Sequence, residues 1–335
     1  MLAYTYRKQG EFTLQNKPEP VLTHAGDAVV RVTMSSICTS DLHILHGAVP
    51  RANPDIVLGH EFVGVVEEAG EAVRSLRPGD RVALCVRRGF DLLAALLGIL
   101  RAGCAYVPVL DTYPAPRVRY ILENAEARLL LCDRACAMGT DGLPCPVVYT
   151  DEPAAPIAPD DRETGGLMYL LYTSGSTGRP KGVMLAHSAL SNLLACVEPL
   201  FPENGAVLCA TNVIFDTFIT ESLLALACGR TVVMADEEEM LLPARMAALI
   251  EREGVRFMQL TPSRLGLCLA SGAFCRAARG LDGMILVGEA LSESLRDRFA
   301  AVTDAKLINM YGPTEAAVYV TAGVMRAGER VTIGR

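Results

Sequence analysis

Two rhythms of apolar and polar residues divide the chain. Over the first 84 residues the apolar runs are short and β-branched, and Gly, Pro and Asp separate them. Residues 13–15, 28–34 and 62–67 read as strands, with Val29, Val30 and Val32 in the second. From about Val82 the pattern predicts helices alternating with buried strands. Residues 91–100 set Leu92, Leu93, Leu96, Leu97 and Leu100 on one helical face, with Asp91 as a cap and Gly103 beyond the end. A strand over 105–109, a helix over 116–125 with Val118, Ile121, Leu122 and Ala125 in register, and a strand over 129–131 follow. The same alternation returns later, with strands over 255–260, 284–287 and 306–310 and helices over 243–253 and 293–301. Repeated β-α-β order implies an α/β fold whose sheets are mainly parallel and flanked by helices.

The densest polar stretch lies between these halves. An apolar run over 167–172 leads into Thr173, Ser174, Gly175, Ser176, Thr177, Gly178, Arg179, Pro180, Lys181 and Gly182, and helical spacing resumes from about Ser188. Glycine lets backbone N–H groups turn toward a polyanion, the hydroxyls add donors and Lys181 adds countercharge. Strand, loop and helix is the expected order here, although G-x-x-x-x-G-K-[ST] does not fit. A glycine-rich surface connection is the competing reading. Two predicted strands end in polar turns, Gly288-Glu289 and Tyr311 to Glu315, and open α/β sheets bind ligands at such ends.

Bulk composition narrows the function. With 335 residues the chain holds two or three domains. A net charge of -7 argues against nucleic acid as the main partner. The longest apolar helix candidate, residues 92–100, is far shorter than the roughly 20 residues that span a bilayer. Eleven cysteines without a C-x-x-C pair read as buried thiols in a reducing, cytoplasmic setting. Four of the five histidines fall in the first 60 residues, so the two ends need not share one chemistry.

In the first part, Cys38, His60 and Glu61 supply metal-ligand types, with Ser40, Asp41 and His43 close by. The runs Ile37 to His43, Gly59 to Val66 and Pro78-Gly79-Asp80-Arg81-Val82 resemble the GroES-like half-barrel at the amino-terminal end of zinc-dependent medium-chain alcohol dehydrogenases. That resemblance implies Cys38 and His60 as zinc ligands, Glu61 beside the metal, and Ser40 and His43 on a proton relay. It stops after about Leu84. No G-x-G-x-x-G turn for a dinucleotide follows anywhere in the chain.

From about residue 82 a second resemblance takes over. Its landmarks are Leu100 to Pro108, Thr173 to Gly182, Phe215-Asp216-Thr217, Val287 to Leu291 and Asn309 to Glu315. Five landmarks in this order resemble the adenylate-forming enzymes, most closely the amino-acid adenylation domains of nonribosomal peptide synthetases. The resemblance implies ATP, Mg²⁺, an amino acid and a carrier-protein domain as partners. By it, the loop from Thr173 to Lys181 holds the ATP phosphates. Gly288, Glu289 and Ala290, with Asn309, Tyr311 and Gly312, frame the nucleotide. Thr314 meets the α-phosphate and Glu315 helps hold Mg²⁺. Asp216 pairs with the substrate ammonium, and a buried carboxylate does call for a cation. A capping role is the plainer reading of both Asp216 and Glu315. Thr217, Thr220, Leu286, Ile308, Met310 and Ile333 fall where that family lines its substrate pocket.

The expected organisation is therefore a partial GroES-like segment over 1–84 and an adenylation core over 85–335. The run Pro78 to Leu84 suits both patterns, which suggests a splice through shared sequence. Relative to the family, the sequence reaches Arg335 before the ribose-binding aspartate, the hinge and the lysine-bearing small domain. The resemblance thus implies little or no turnover by this stretch alone. A zinc oxidoreductase lineage and a non-catalytic fusion product are the alternatives.

Overall fold

The computed structural model describes residues 2–21, 28–36, 44–46, 53–57, 61–69, 79–136, 138–151, 166–173 and 179–334. Cys38, Ser40, Asp41, His43, His60 and the loop residues Ser174, Gly175, Ser176, Thr177 and Gly178 lie outside them. The chain forms two compact units, Met1–Ser75 and Leu76–Arg335.

In the first unit β1 (Leu2–Lys8) and β2 (Glu11–Asn16) form an antiparallel hairpin. Gly10 turns it with φ of 78°, a backbone that glycine adopts without Cβ strain. Residues 55–57 pair with β1, Tyr6 donating to the Ile56 carbonyl at 3.0 Å and Asp55 to that of Tyr6 at 2.8 Å. A second antiparallel pair joins β3 (Ala28–Ser36) to β4 (Glu61–Ala69). Each run read from the sequence falls inside a longer strand. Two separate two-stranded sheets are what the described residues display, and a half-barrel is not shown by them.

The second unit contains two six-stranded sheets. The first has the order β10-β9-β6-β5-β7-β8, built from β5 (Arg81–Cys85), β6 (Ala105–Pro108), β7 (Leu129–Cys132), β8 (Val147–Tyr149), β9 (Leu167–Thr173) and β10 (Lys181–Ala186). The second has the order β12-β11-β13-β14-β15-β16, from β11 (Ala206–Cys209), β12 (Thr231–Met234), β13 (Val255–Leu260), β14 (Gly283–Leu286), β15 (Lys306–Tyr311) and β16 (Thr321–Met325). Only the β9–β10 and β15–β16 pairings are antiparallel in these sheets.

Three apolar clusters hold these layers together. One lies between the sheets and takes Val82 and Leu84 from β5, Tyr169 and Leu171 from β9, Val207 from β11, Ile285 from β14 and Ile308 from β15. It also receives Leu92, Leu96 and Ile99 of α1 (Phe90–Arg101). A second cluster sets the other face of the first sheet against Val118, Ile121 and Leu122 of α2 (Ala115–Asn124). The third packs the second sheet against α4 (Pro243–Glu253), α5 (Pro262–Cys268), α6 (Gly272–Ala277) and α7 (Glu293–Ala300). The remaining long helix, α3 (His187–Val197), adds Leu190, Leu193 and Val197 to the inner cluster.

Two local expectations change. Leu97 is 49 % exposed and Ile99 takes the place expected for it, because the buried arc of α1 is centred on Leu92, Leu96 and Ile99. The polar loop does not run into a helix. It tips an antiparallel hairpin in which Lys181 lies opposite Thr173, and α3 starts only at His187. The edge of β9 has backbone groups that need partners, and the residues after the loop supply them as β10.

Candidate functional site

Four parallel strands of the second sheet end at one cavity. Residues just past β11 (Ala210, Thr211), β13 (Thr261), β14 (Val287, Gly288, Glu289) and β15 (Gly312, Pro313, Thr314) line it, together with Phe215, Asp216, Thr217 and Gln259. Its volume is about 560 Å³. That is room for a molecule of several tens of atoms, within the range of small-ligand sites. The carboxyl ends of parallel strands are where an open sheet leaves such a crevice.

Asp216 is 8 % exposed and faces this space. Burial pushes its carboxyl above the ordinary value, and hydrogen bonds from the Thr314 side chain and the Thr217 amide act in the opposite sense. The Thr217 amide donates to its Oδ1 at 2.8 Å. Among the described residues no Lys or Arg pairs with Asp216. A buried carboxylate without a cation is costly, so the cavity beside it suits a ligand that brings one.

Behind Asp216 the chain forms a π-helical turn, Thr220–Leu224, which carries Glu221. Glu221 is 2 % exposed. Its carboxylate accepts from the amides of Ala210 at 2.7 Å and Thr211 at 2.8 Å, from the Thr211 hydroxyl at 2.7 Å and from Gln259 Nε2 at 3.1 Å. Tyr319 in turn donates its hydroxyl to Gln259 Oε1. Burial pushes Glu221 up to about 7 against an ordinary 4.5, in spite of these donors. The network fixes the Gln259 amide at the cavity wall.

A half-buried arginine stands nearby. Arg88, just beyond β5 in the first sheet, donates to the carbonyls of Cys209, Thr211 and Ala235 at the ends of β11 and β12. One guanidinium therefore ties the two sheets together beside the cavity. Its planar fork suits several acceptors at once.

The turn after β15 is tightly wound. Ala317 and Val318 have φ of 60° and 72°, a region that costs non-glycine residues energy. A Cβ at Gly312 would lie 2.3 Å from the Val318 carbonyl oxygen, so only glycine lets the two backbone segments approach. Such local strain is common where a loop must hold a ligand. The short turn Thr314–Ala316 packs against β10, which brings the loop hairpin to the same side as Thr314.

The singled-out residues that the structure describes fall as follows. Asp216, Thr217, Gly288, Glu289, Gly312 and Thr314 share the cavity lining. Glu289 accepts from the Ser263 amide at 2.8 Å, and hydrogen bonds from Ser263 hold its carboxyl below the ordinary value. Ala290, Tyr311 and Glu315 are exposed in the adjoining turns, and Lys181 is exposed at the base of the hairpin. Asn309 is buried and donates to the Thr332 carbonyl at 2.8 Å. Thr220, Leu286, Ile308 and Met310 are buried, Leu286 toward the outer helices and Ile308 and Met310 toward the inner cluster. Ile333 is 54 % exposed and its carbonyl accepts from the Thr321 hydroxyl at 2.5 Å. Glu61 begins β4, opposite Ser36. Arg88, Glu221, Gln259 and Tyr319 were not found from the sequence. The signal for Glu221 and Gln259 was a polar residue within a mainly apolar run, Phe218 to Leu226 and Val255 to Leu260.

Comparison with known proteins agrees with this geometry. The family model described as "AMP-binding enzyme" matches residues 66–335. Phosphinothricin tripeptide synthetase PhsB of Streptomyces viridochromogenes is 40 % identical over 277 residues, covering 78 % of this chain and 23 % of its own length. A crystal structure of a nonribosomal peptide synthetase in an α-methyl-L-serine-AMP bound form superimposes with a TM-score of 0.71 at 27 % identity, over 78 % of this chain and 31 % of that one. A four-domain synthetase bound to AMP and glycine gives a TM-score of 0.68 at 29 % identity, over 77 % and 19 %. The chain thus spans about a quarter of the length of the first of these relatives.

Proposed function

Since the chain belongs to the AMP-binding enzyme family, we propose that residues 66–335 bind ATP and an amino acid for activation as an aminoacyl adenylate, of the kind that nonribosomal peptide synthetases pass to a carrier-protein domain. In that reaction a substrate carboxylate oxygen attacks the α-phosphorus and pyrophosphate leaves. The observation that carries the reading is Asp216, a buried carboxylate that faces a 560 Å³ cavity and pairs with no Lys or Arg among the described residues. An α-ammonium group supplies a cation, and burial makes the pairing stronger than it would be in water.

The other roles are carried over from the family's motifs. Gly288, Glu289, Ala290, Asn309, Tyr311 and Gly312 frame the nucleotide, and the near-contact of Gly312 with Val318 keeps that frame narrow. The hydroxyls and glycines of Thr173 to Gly178, with Lys181, receive the phosphates. Thr314 bridges the two halves of the site: its hydroxyl reaches Asp216, and we assign it the α-phosphate. Glu315, an exposed hard carboxylate one residue away, fits Mg²⁺. Bound Mg²⁺ would neutralise phosphate charge as pyrophosphate departs. Thr217, Gln259 and Val287 line the wall beside Asp216 and set the room for a side chain. Thr220, Leu286, Ile308 and Met310 support that wall from behind.

Equilibrium titration separates the two halves of the site. AMP and a non-hydrolysable aminoacyl-sulfamoyl adenosine serve as probes. Asp216→Asn is expected to leave AMP affinity within about twofold and to weaken the aminoacyl probe by tenfold or more, since breaking a buried charge pair costs several kcal/mol. Equal loss for both probes, or none for either, would refute the assignment.

For the first part of the chain we propose a GroES-like alcohol dehydrogenase ancestry. What supports it is the motif set around Cys38 and His60 together with the antiparallel pairing of β1–β2 and β3–β4. The join then falls within residues 66–84, where the family match, the unit boundary and the shared Pro78 to Leu84 run meet. Amplification across codons 78–86 from source DNA tests the join, and zinc content before and after Cys38→Ser tests the metal.

A further inference from the structure

Away from this cavity, β5 and β7 end side by side with Cys85 opposite Cys132 in parallel register. The chain then turns back. Asp133 accepts from the Cys136 amide at its carbonyl, at 2.9 Å, and its carboxylate accepts from the Ala135 amide at 2.8 Å and Arg87 Nε at 2.9 Å. That turn carries the Cys136 thiol back over the strand ends, where it donates to the Cys85 carbonyl at 3.2 Å. The three sulfurs lie within 4.8 Å of one another. All three are free thiols, Cys85 and Cys132 buried and Cys136 half-buried. A cavity of about 110 Å³ opens onto Cys85 and Cys136, with Asp111, Arg87 and Arg88 in its walls.

Zinc–sulfur bonds of about 2.3 Å in a tetrahedral site set sulfurs about 3.8 Å apart. Closing the present triangle by up to about 1 Å meets that value. Three thiolates select soft or borderline ions over Mg²⁺. The cavity gives the ion a way in.

We propose that Cys85, Cys132 and Cys136 form a three-thiolate site for one thiophilic divalent ion of the zinc and cadmium class, its remaining position open to the cavity beside Asp111. None of the three cysteines lines the 560 Å³ cavity. It would tie the ends of β5 and β7 to the turn that follows them, and binding would release protons.

The test uses the full chain, reduced and stripped of metal, titrated with cadmium(II). Sulfur-to-cadmium charge-transfer absorbance counts the thiolates. One equivalent carrying three thiolates is expected, with a band about a third smaller and at least tenfold weaker binding in Cys136→Ser. Cys196→Ser and Cys275→Ser should leave both unchanged. In the unmutated chain cadmium should slow iodoacetamide labelling of Cys136 at least tenfold while sparing Cys275, a readout that does not depend on a variant folding. No band, a band indifferent to Cys136→Ser, unprotected Cys136, or a disulfide among the three with no uptake of metal would overturn the site.

Discussion

Replacing Glu221 by Gln should remove most of a pH-dependent cost that the native chain carries. The Glu221 carboxyl is pushed from an ordinary 4.5 up to about 7 by burial. Carrying a carboxyl over that interval costs about 3 kcal/mol. The sign follows from the two states. Below about pH 4.5 both hold the proton and there is no cost; above it the unfolded chain ionises first, and the cost is complete once pH exceeds about 7. Between pH 5 and pH 8 it grows by about 2.5 kcal/mol. Glutamine can occupy the same place. Its oxygen can accept from the Ala210 and Thr211 amides, and a flip of Gln259 turns that residue's oxygen toward the new amide and its nitrogen toward Tyr319. The assay is hydrogen exchange of the β13 amides, Val255–Leu260, in both chains at matched pH, so that intrinsic rates cancel. Protection in Glu221→Gln relative to the native chain should rise by about 2.5 kcal/mol from pH 5 to pH 8. A constant difference across that range would refute the reasoning, because it would mean that Glu221 titrates alike in folded and unfolded chains.

Three further outcomes follow from single contacts. Gly312→Ala places a methyl 2.3 Å from the Val318 oxygen, backbone against backbone, and should cost about 1–3 kcal/mol and weaken AMP binding, as read by thermal melting and titration. Tyr169→Phe deletes a buried hydroxyl that has no hydrogen-bond partner among the described residues, so the melting temperature should hold or rise, and a marked fall would show that the hydroxyl is satisfied. Arg88→Met leaves the Cys209, Thr211 and Ala235 carbonyls without their donor and should destabilise the second unit by about 2–4 kcal/mol, measured by urea unfolding.

Much of the second unit was legible in the sequence because its signals are local. The helix over Pro243–Glu253 announces itself with proline in the first turn and ends at Gly254, whose φ is 62°. Strand β13 reads as one apolar run, with boundaries as expected. Other elements depend on distant partners. The strand Lys181–Ala186 exists because β9 offers it an edge, and nothing in Lys-Gly-Val-Met-Leu-Ala forbids a loop. Glu221 and Gln259 look like ordinary polar residues until the fold sets them 3.1 Å apart. The thiol cluster needs β5 beside β7, a pairing across 44 residues or more that no spacing rule contains.

Arg88 has a consequence for how this architecture tolerates change. Its guanidinium donates to three main-chain carbonyls, so the clasp depends on where the strand ends lie more than on which side chains they carry. Exchange of the second sheet for a diverged counterpart should therefore succeed wherever the strand ends keep their positions, provided the arginine stays with the first sheet. In recombination or library design the safe cut lies outside the pair formed by residue 88 and those strand ends. Diversity can be spent on the strands themselves.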